Sequence, residues 1–264
     1  MIQNEEIWNR TTWENKTIEF IFGSRIVEYD MKSAGFNISK QFKLLPESTI
    51  QMLEGMKKDA RNKKMGLIQR KDKEYSKNLL EGFRKCRKWF FVKNEIEEHQ
   101  VLCTKKDAIF LIDTYPEYLE TGYIRFDAKN TYSSYFKLNK LEFYLNPKLG
   151  ICDIKGLGQG ESLNEVRNLH GEYILKFIME FTRLRERLVD RQLMVSWLTT
   201  FIRNYRNRNV EIGYYRELSK SNGYKLWSEE MNDFITVNDT DDIENVNISY
   251  NYENYILPLA NLYV

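Results

Sequence analysis

Apolar residues fall in short, spaced runs along this chain. Between Thr17 and Tyr29 they cluster as TIEFIF (17–22) and RIVEY (25–29), parted by Gly23-Ser24. Runs rich in Phe, Ile and Val around a Gly-Ser pair predict two strands joined in a hairpin. The period then changes. Ile50, Leu53 and Met56 recur at helical spacing within 47–62. Leu79, Leu80, Phe83, Cys86, Arg87 and Phe90 do so within 72–91, so two helices are predicted there. Short apolar segments at 100–103 and 107–112 flank a Thr-Lys-Lys tip and read as a second hairpin. Further short strands are expected at 123–127, 134–138, 141–145 and 151–155, bounded by Asn146-Pro147 and Gly150. From 161 to 208 the pattern is almost wholly helical, and the last 55 or so residues turn polar and acidic before becoming aromatic again.

Strands, then helices, then strands, then a helical stretch make an α+β fold: an antiparallel sheet with helices on one face, followed by a helical module. The Gly-rich run Gly156–Gly160 sets the expected boundary, giving a first domain at 1–156 and a second at 157–264. With 42% hydrophobic residues, 264 positions support a sizeable core, so global disorder is not expected. Lys and Arg together number 40 against 38 Asp and Glu. Only a local basic patch could therefore announce nucleic acid. Cys86, Cys103 and Cys152 lack zinc or redox spacing and read as buried thiols in a reducing compartment. No signal peptide opens the chain, and no apolar run approaches the ~20 residues of a membrane span. A cytoplasmic setting without membrane contact is expected, host cytoplasm if the protein is viral.

Two acids stand beside apolar strands: Asp30 after RIVEY, and Asp107 before AIFLI. Both can be ordinary turn carboxylates in solvent. Brought together from neighbouring strands at ~4–6 Å, they would instead repel unless a divalent cation lay between them. Mg²⁺, or Mn²⁺ in its place, suits such oxygen ligands and is often shared with substrate phosphates.

Taken in order, these stretches resemble family B DNA polymerases, phage-like in style. VEYDMKSAGF is similar to their first carboxylate motif, a strand ending in Asp, two variable residues, then Ser-Leu-Tyr-Pro; Asp30 and Ser33 match, while Ala34, Gly35 and Phe36 depart. CTKKDAIFLI resembles their third motif, with Asp107 on the second Asp and Lys105 where the first would stand. LEFYLNPKLGICDIKGL resembles the hairpin and strand that follow, with Tyr144, Lys155 and Gly156 as matches. The middle motif, on a fingers helix, is not recognisable, and no proofreading domain precedes the palm-like part.

The resemblance, spanning about 20–190, implies a palm followed by a thumb and a nucleotidyltransferase using two Mg²⁺ ions held by Asp30 and Asp107. Ser33, Gly35 and a basic helix residue such as Lys77 would meet the nucleotide. Tyr144, Lys155 and Gly156 would hold a primer–template. Gly35, where the family has Tyr, implies weak exclusion of ribonucleotides. The departures fit an alternative: a non-catalytic relative serving as a nucleic-acid-binding or assembly subunit of a larger replication or virion complex. In that case the aromatic C-terminal segment would be a docking element.

Two Arg-rich stretches, RLRERLVDR (183–191) and RNYRNRN (203–209), interleave with Trp197, Phe201 and Tyr205. Arg pairs phosphates and aromatics stack bases, so Arg203, Arg206 and Arg208 are candidate nucleic-acid contacts. An exposed, salt-bridged helix face is the plainer reading. The loop DIKGLGQGES lacks the spacing of a dinucleotide or P-loop motif and is either a tight connection or a backbone-binding turn. His99 and His170 have no triad or metal partners nearby in sequence.

Overall fold

The computed structural model describes residues 4–156, 172–215, 224–228, 233–237 and 248–262. Its elements, in chain order, confirm an α+β protein. The chain divides into two compact units. The first comprises residues 1–18 and 25–131; the second comprises 19–24 and 132–264. The expected boundary near Gly156–Gly160 lies inside the second.

In the first unit, a short helix α1 (Glu6–Asn9) and strand β1 (Thr12–Glu14) precede β2 (Phe20–Met31), whose residues from Arg25 onward belong here. Four helices follow: α2 (Ala34–Gln41), α3 (Glu47–Glu54), α4 (Lys58–Lys71) and α5 (Lys73–Lys93). Strands β3 (Val101–Lys105) and β4 (Ala108–Ile112) form the expected hairpin. Then come β5 (Glu120–Thr121) and the first part of β6 (Ile124–Leu138). The strand order is β1-β3-β4-β2-β6, and β1–β3, β3–β4 and β4–β2 pair antiparallel.

Three local expectations are corrected. The Gly23-Ser24 pair is not a hairpin turn, because β2 runs straight through it. Gly23 takes φ +80 within the strand, a conformation open to glycine at no steric cost, so the chain kinks without reversing. The helix expected over 47–62 is two helices, broken between Glu54 and Lys58. The strands expected at 123–127 and 134–138 are one, β6, whose polar middle disguised its continuity.

Alternation decides which β2 residues meet the helices. Val27, Tyr29 and Met31 join the core with Phe83, Phe90 and Phe91 of α5, the Tyr29 and Phe90 rings lying 5.8 Å apart. Glu28 and Asp30 therefore point to the other face of the sheet. Helix α5 is capped by Asp72, which accepts from Tyr75 N, and it packs close to α2 at Gly82. A methyl group there would sit 2.3 Å from Ile38 Cγ2.

In the second unit, the later part of β6 pairs antiparallel with β7 (Leu141–Asn146), and β7 with β8 (Ile151–Lys155). Helices α6 (Glu172–Glu186) and α7 (Arg191–Arg206) supply Phe177, Ile178, Phe181, Met194 and Leu198 to a core shared with Phe136, Phe143 and Phe22. Strands β9 (Tyr224–Ser228) and β10 (Asp233–Val237) form a separate ribbon. The C-terminal helical run Ser249–Asn251, Tyr252–Ile256 and Leu257–Asn261 buries Tyr255, Ile256 and Leu259. Those residues were expected in an exposed docking element; they are core instead.

Candidate functional site

Asp30 and Asp107 come together in the first unit. Asp30 lies near the end of β2, in register with Ala108, the first residue of β4. Beyond it the Met31 amide donates to the Asp107 carbonyl at 2.9 Å, so the two acids sit at one end of two paired strands. The hairpin tip that carries Asp107 is tight: Lys106 takes φ +40, and its amide donates to Thr11 O at 2.7 Å.

Burial pushes the Asp30 carboxyl above the usual carboxylate range, and the Asp107 charge pushes it further. Lys129 and Lys58 oppose that rise, while Glu28 adds to it. Glu28 is itself buried, receiving Asn130 Nδ2 at 2.9 Å and facing Lys129 Nζ at 3.6 Å. The cluster is a partly desolvated acidic end of a sheet with cations around its rim.

Below the tip lies Arg87, a fully buried guanidinium on α5. Its Nε and Nη2 donate to Trp8 O at 3.1 and 2.7 Å, Nη2 also to Arg10 O at 2.8 Å, and Nη1 to Lys106 O at 2.6 Å. One side chain thus ties α5, the segment after α1 and the residue preceding Asp107. Burial, with Arg84 nearby, lowers its pKa to about 10, and Asp107 acts in the opposite direction. It remains a cation at neutral pH. Sequence reading placed Arg87 on the apolar face of its helix without giving it a role. The signal was a charged residue on the stripe of Leu79, Phe83 and Phe90.

The loop after β2 places Ser33 in the left-handed region, φ +47, where its hydroxyl accepts from Arg61 Nη2 at 3.2 Å. The Arg61 guanidinium lies 4.6 Å from the Phe36 ring centre, and its Nε is buried without a hydrogen-bond partner. Arg61 of α4 is therefore drawn against the loop that carries Ser33. Gly35 is the second residue of α2, and a Cβ there would meet Met65 Cε at 3.4 Å, so Met65 borders the space left by the missing side chain. Lys77 is exposed on α5.

A model for one phage protein family matches the whole chain, residues 1–264. The chain belongs to the bacteriophage PBS1 gene 130 protein family. A phage family agrees with the expected phage character. No curated protein matches.

The remaining candidates of this family member lie in the second unit. Tyr144 is fully buried beside Tyr132 and Tyr135, its hydroxyl donating to Glu142 at 3.0 Å. Lys155 pairs Asp153 at 3.1 Å. Gly156 takes φ +95, and a Cβ there would run into Lys140 O at 2.4 Å, so glycine is needed for close backbone approach. Arg203 and Arg206 are exposed on the last turn of α7, and Arg206 stands over the Tyr252 ring at 5.7 Å. Arg208 follows at φ +56. The run Leu157–Gly160, His170 and the acidic stretch 238–245 lie outside the described residues, while His99 is exposed and faces Glu97 at 3.3 Å. Among the described residues no group of three or more His, Cys, Asp or Glu is placed to hold a metal, and no helix is long and apolar enough to cross a membrane.

Proposed function

We propose that Asp30 and Asp107 form a two-carboxylate site for Mg²⁺ or Mn²⁺, and that this phage protein is a nucleotidyltransferase acting on nucleic acid, similar to a reduced family B polymerase palm. One observation carries the reading. Two acids stand at the ends of adjacent strands, and burial, with the Asp107 charge added to it, raises the Asp30 pKa. A protein gains nothing in stability from this arrangement, and perturbed carboxylates of this kind concentrate at functional sites. Two carboxylates suit a cation that keeps water and shares substrate phosphates.

When bound, the metal would stabilise charge on a transferring phosphoryl group and make an attacking hydroxyl more acidic. The chain's own residues do the positioning. Arg87 fixes the tip bearing Asp107 from below. Arg61, held by Ser33 and Phe36, offers a buried N–H and a positive charge beside the loop leaving Asp30, a place for a triphosphate. Gly35 leaves space bordered by Met65, which is the basis for expecting ribonucleotides to be accepted.

The test is Mn²⁺ binding by calorimetry on the wild-type chain and on Asp30→Asn and Asp107→Asn, with and without a primed template, followed by extension with both sugar types. Binding lost in each variant, and extension that uses ribonucleotides, is expected. No binding by the wild type overturns the reading. Lys105, standing where the family has a further Asp, favours a second reading in which the scaffold persists without chemistry. An inactive wild type that still holds primed template would select it.

A further inference from the structure

The second unit holds a cavity of about 470 Å³ lined by α6 and α7. One wall is aromatic. Phe177 stacks on Trp197 at 5.3 Å and 10° between ring planes, and on Phe201 at 4.3 Å and 23°. Trp197 and Phe201, four apart on α7, line the cavity and are only partly buried, each with one side against the core. Pro147, Met179 and Tyr214 add to the lining, and three charged residues complete it. Lys176 is exposed at its edge, with Nζ 4.5 Å from the Tyr173 ring centre. Arg183 forks onto Glu180 through two bonds of 2.8 and 2.5 Å.

A packing defect in a core is small and apolar. This cavity has the size of a ligand site and combines a flat π surface, two cations and a carboxylate. A stacked aromatic face accepts any base, and adjacent cations accept the phosphates on either side.

We infer that this cavity seats one unpaired base of a single-stranded nucleic acid, stacked on Trp197 and Phe201, with flanking phosphates on Lys176 and Arg183. The inference does not depend on the carboxylate pair. It concerns capture of a strand, and its test contains no divalent cation.

The experiment titrates the full chain with a fluorescein-labelled single-stranded oligothymidine in EDTA, following anisotropy, with quenching of intrinsic tryptophan fluorescence in parallel. Saturable binding is expected, with quenching that is absent in Trp197→Phe. Trp197→Leu should bind roughly 5- to 150-fold more weakly, the range for loss of one stacked base. Should that variant fold poorly, Lys176→Gln, an exposed change, still decides. It should reduce the slope of log affinity against log salt by about 0.7, one phosphate's worth for a single strand. Asp30→Asn/Asp107→Asn should bind as the wild type does. Absence of binding, quenching unaltered in Trp197→Phe, an unchanged salt slope in Lys176→Gln, or preference for duplex would each overturn the inference.

Discussion

Replacing Arg87 with Met keeps the length of the side chain and removes its charge and its donors. Four hydrogen bonds disappear, and the carbonyls of Trp8, Arg10 and Lys106 lose the partner they share. Bonds from a charged donor contribute about 1.5 kcal/mol each at the low end, roughly 6 kcal/mol together. Burial of the cation opposes this. The fall of the Arg87 pKa from 12.5 to about 10 corresponds, at about 1.4 kcal/mol per pH unit, to roughly 3 kcal/mol of desolvation that Met does not incur. The difference is a loss of about 3 kcal/mol, in line with breaking other buried charge networks. For a protein of this size that lowers Tm by roughly 6–12 °C. Thermal melting by circular dichroism reads it directly, and amide hydrogen exchange should show faster opening at the Lys106 tip and at Trp8–Arg10. Arg87→Lys should fall between wild type and Arg87→Met, because a single ammonium cannot reach three carbonyls in a fork. A Tm within 2 °C of wild type for Arg87→Met, or a Lys variant indistinguishable from wild type, would refute the reasoning.

Three other outcomes are expected. Because Asp30 titrates above its unfolded value, the folded state prefers its protonated form. Metal-free stability should therefore decline as pH rises from the ordinary carboxylate range through the raised pKa, and Asp30→Asn should lack this decline and melt no lower than wild type at pH 7; a lower-melting Asn variant would contradict the pKa assignment. Gly82→Ala gains helix propensity, but its methyl would sit 2.3 Å from Ile38 Cγ2, so a net loss of about 1–2 kcal/mol is expected in denaturant titration, with part recovered in Gly82→Ala/Ile38→Leu, which lacks the Cγ2 methyl. All three cysteines are buried thiols outside any disulfide, and burial pushes the Cys86 thiol up to about 12, so a thiol reagent should modify none in the native protein and three after denaturation.

Elements with a clean period were legible in the sequence. The β3–β4 hairpin and α5 came from alternation and from the 3–4 spacing, and the position of Asp30 near a strand end came with them. Elements whose sequence mixes signals were not. Gly23-Ser24 has turn composition, yet a glycine at positive φ equally kinks a strand that continues, and only pairing of residues on both sides distinguishes the two. The middle of β6, Asp127–Asn130, is polar because it carries Lys129 and Asn130, which attend the buried Glu28; charge placed for a neighbour reads locally as a loop. Arg87 and Arg61 were hidden for a related reason. Sequence patterning put Arg87 on an apolar stripe but could not supply its partners, and both cations are turned inward by carbonyls, a hydroxyl and a ring that lie far away along the chain. The aromatic C-terminal segment was misread because its partners in the core, Phe143 and Tyr205 among them, precede it by more than 40 residues.

The strand β2 begins with residues of the second unit and ends with residues of the first. A ribosome therefore delivers Glu19–Ser24 long before the rest of the unit that uses them, with residues 25–131 intervening. At roughly 5–20 residues per second, the wait is on the order of 10 s. During that time Phe20 and Phe22 have no finished partner, and the first unit must close around a gap in its own sequence. Any gene fragment cut after Thr131 carries this orphaned hexapeptide, and any fragment starting at Tyr132 lacks it. The two units are compact as objects but not separable by a single cut in the gene.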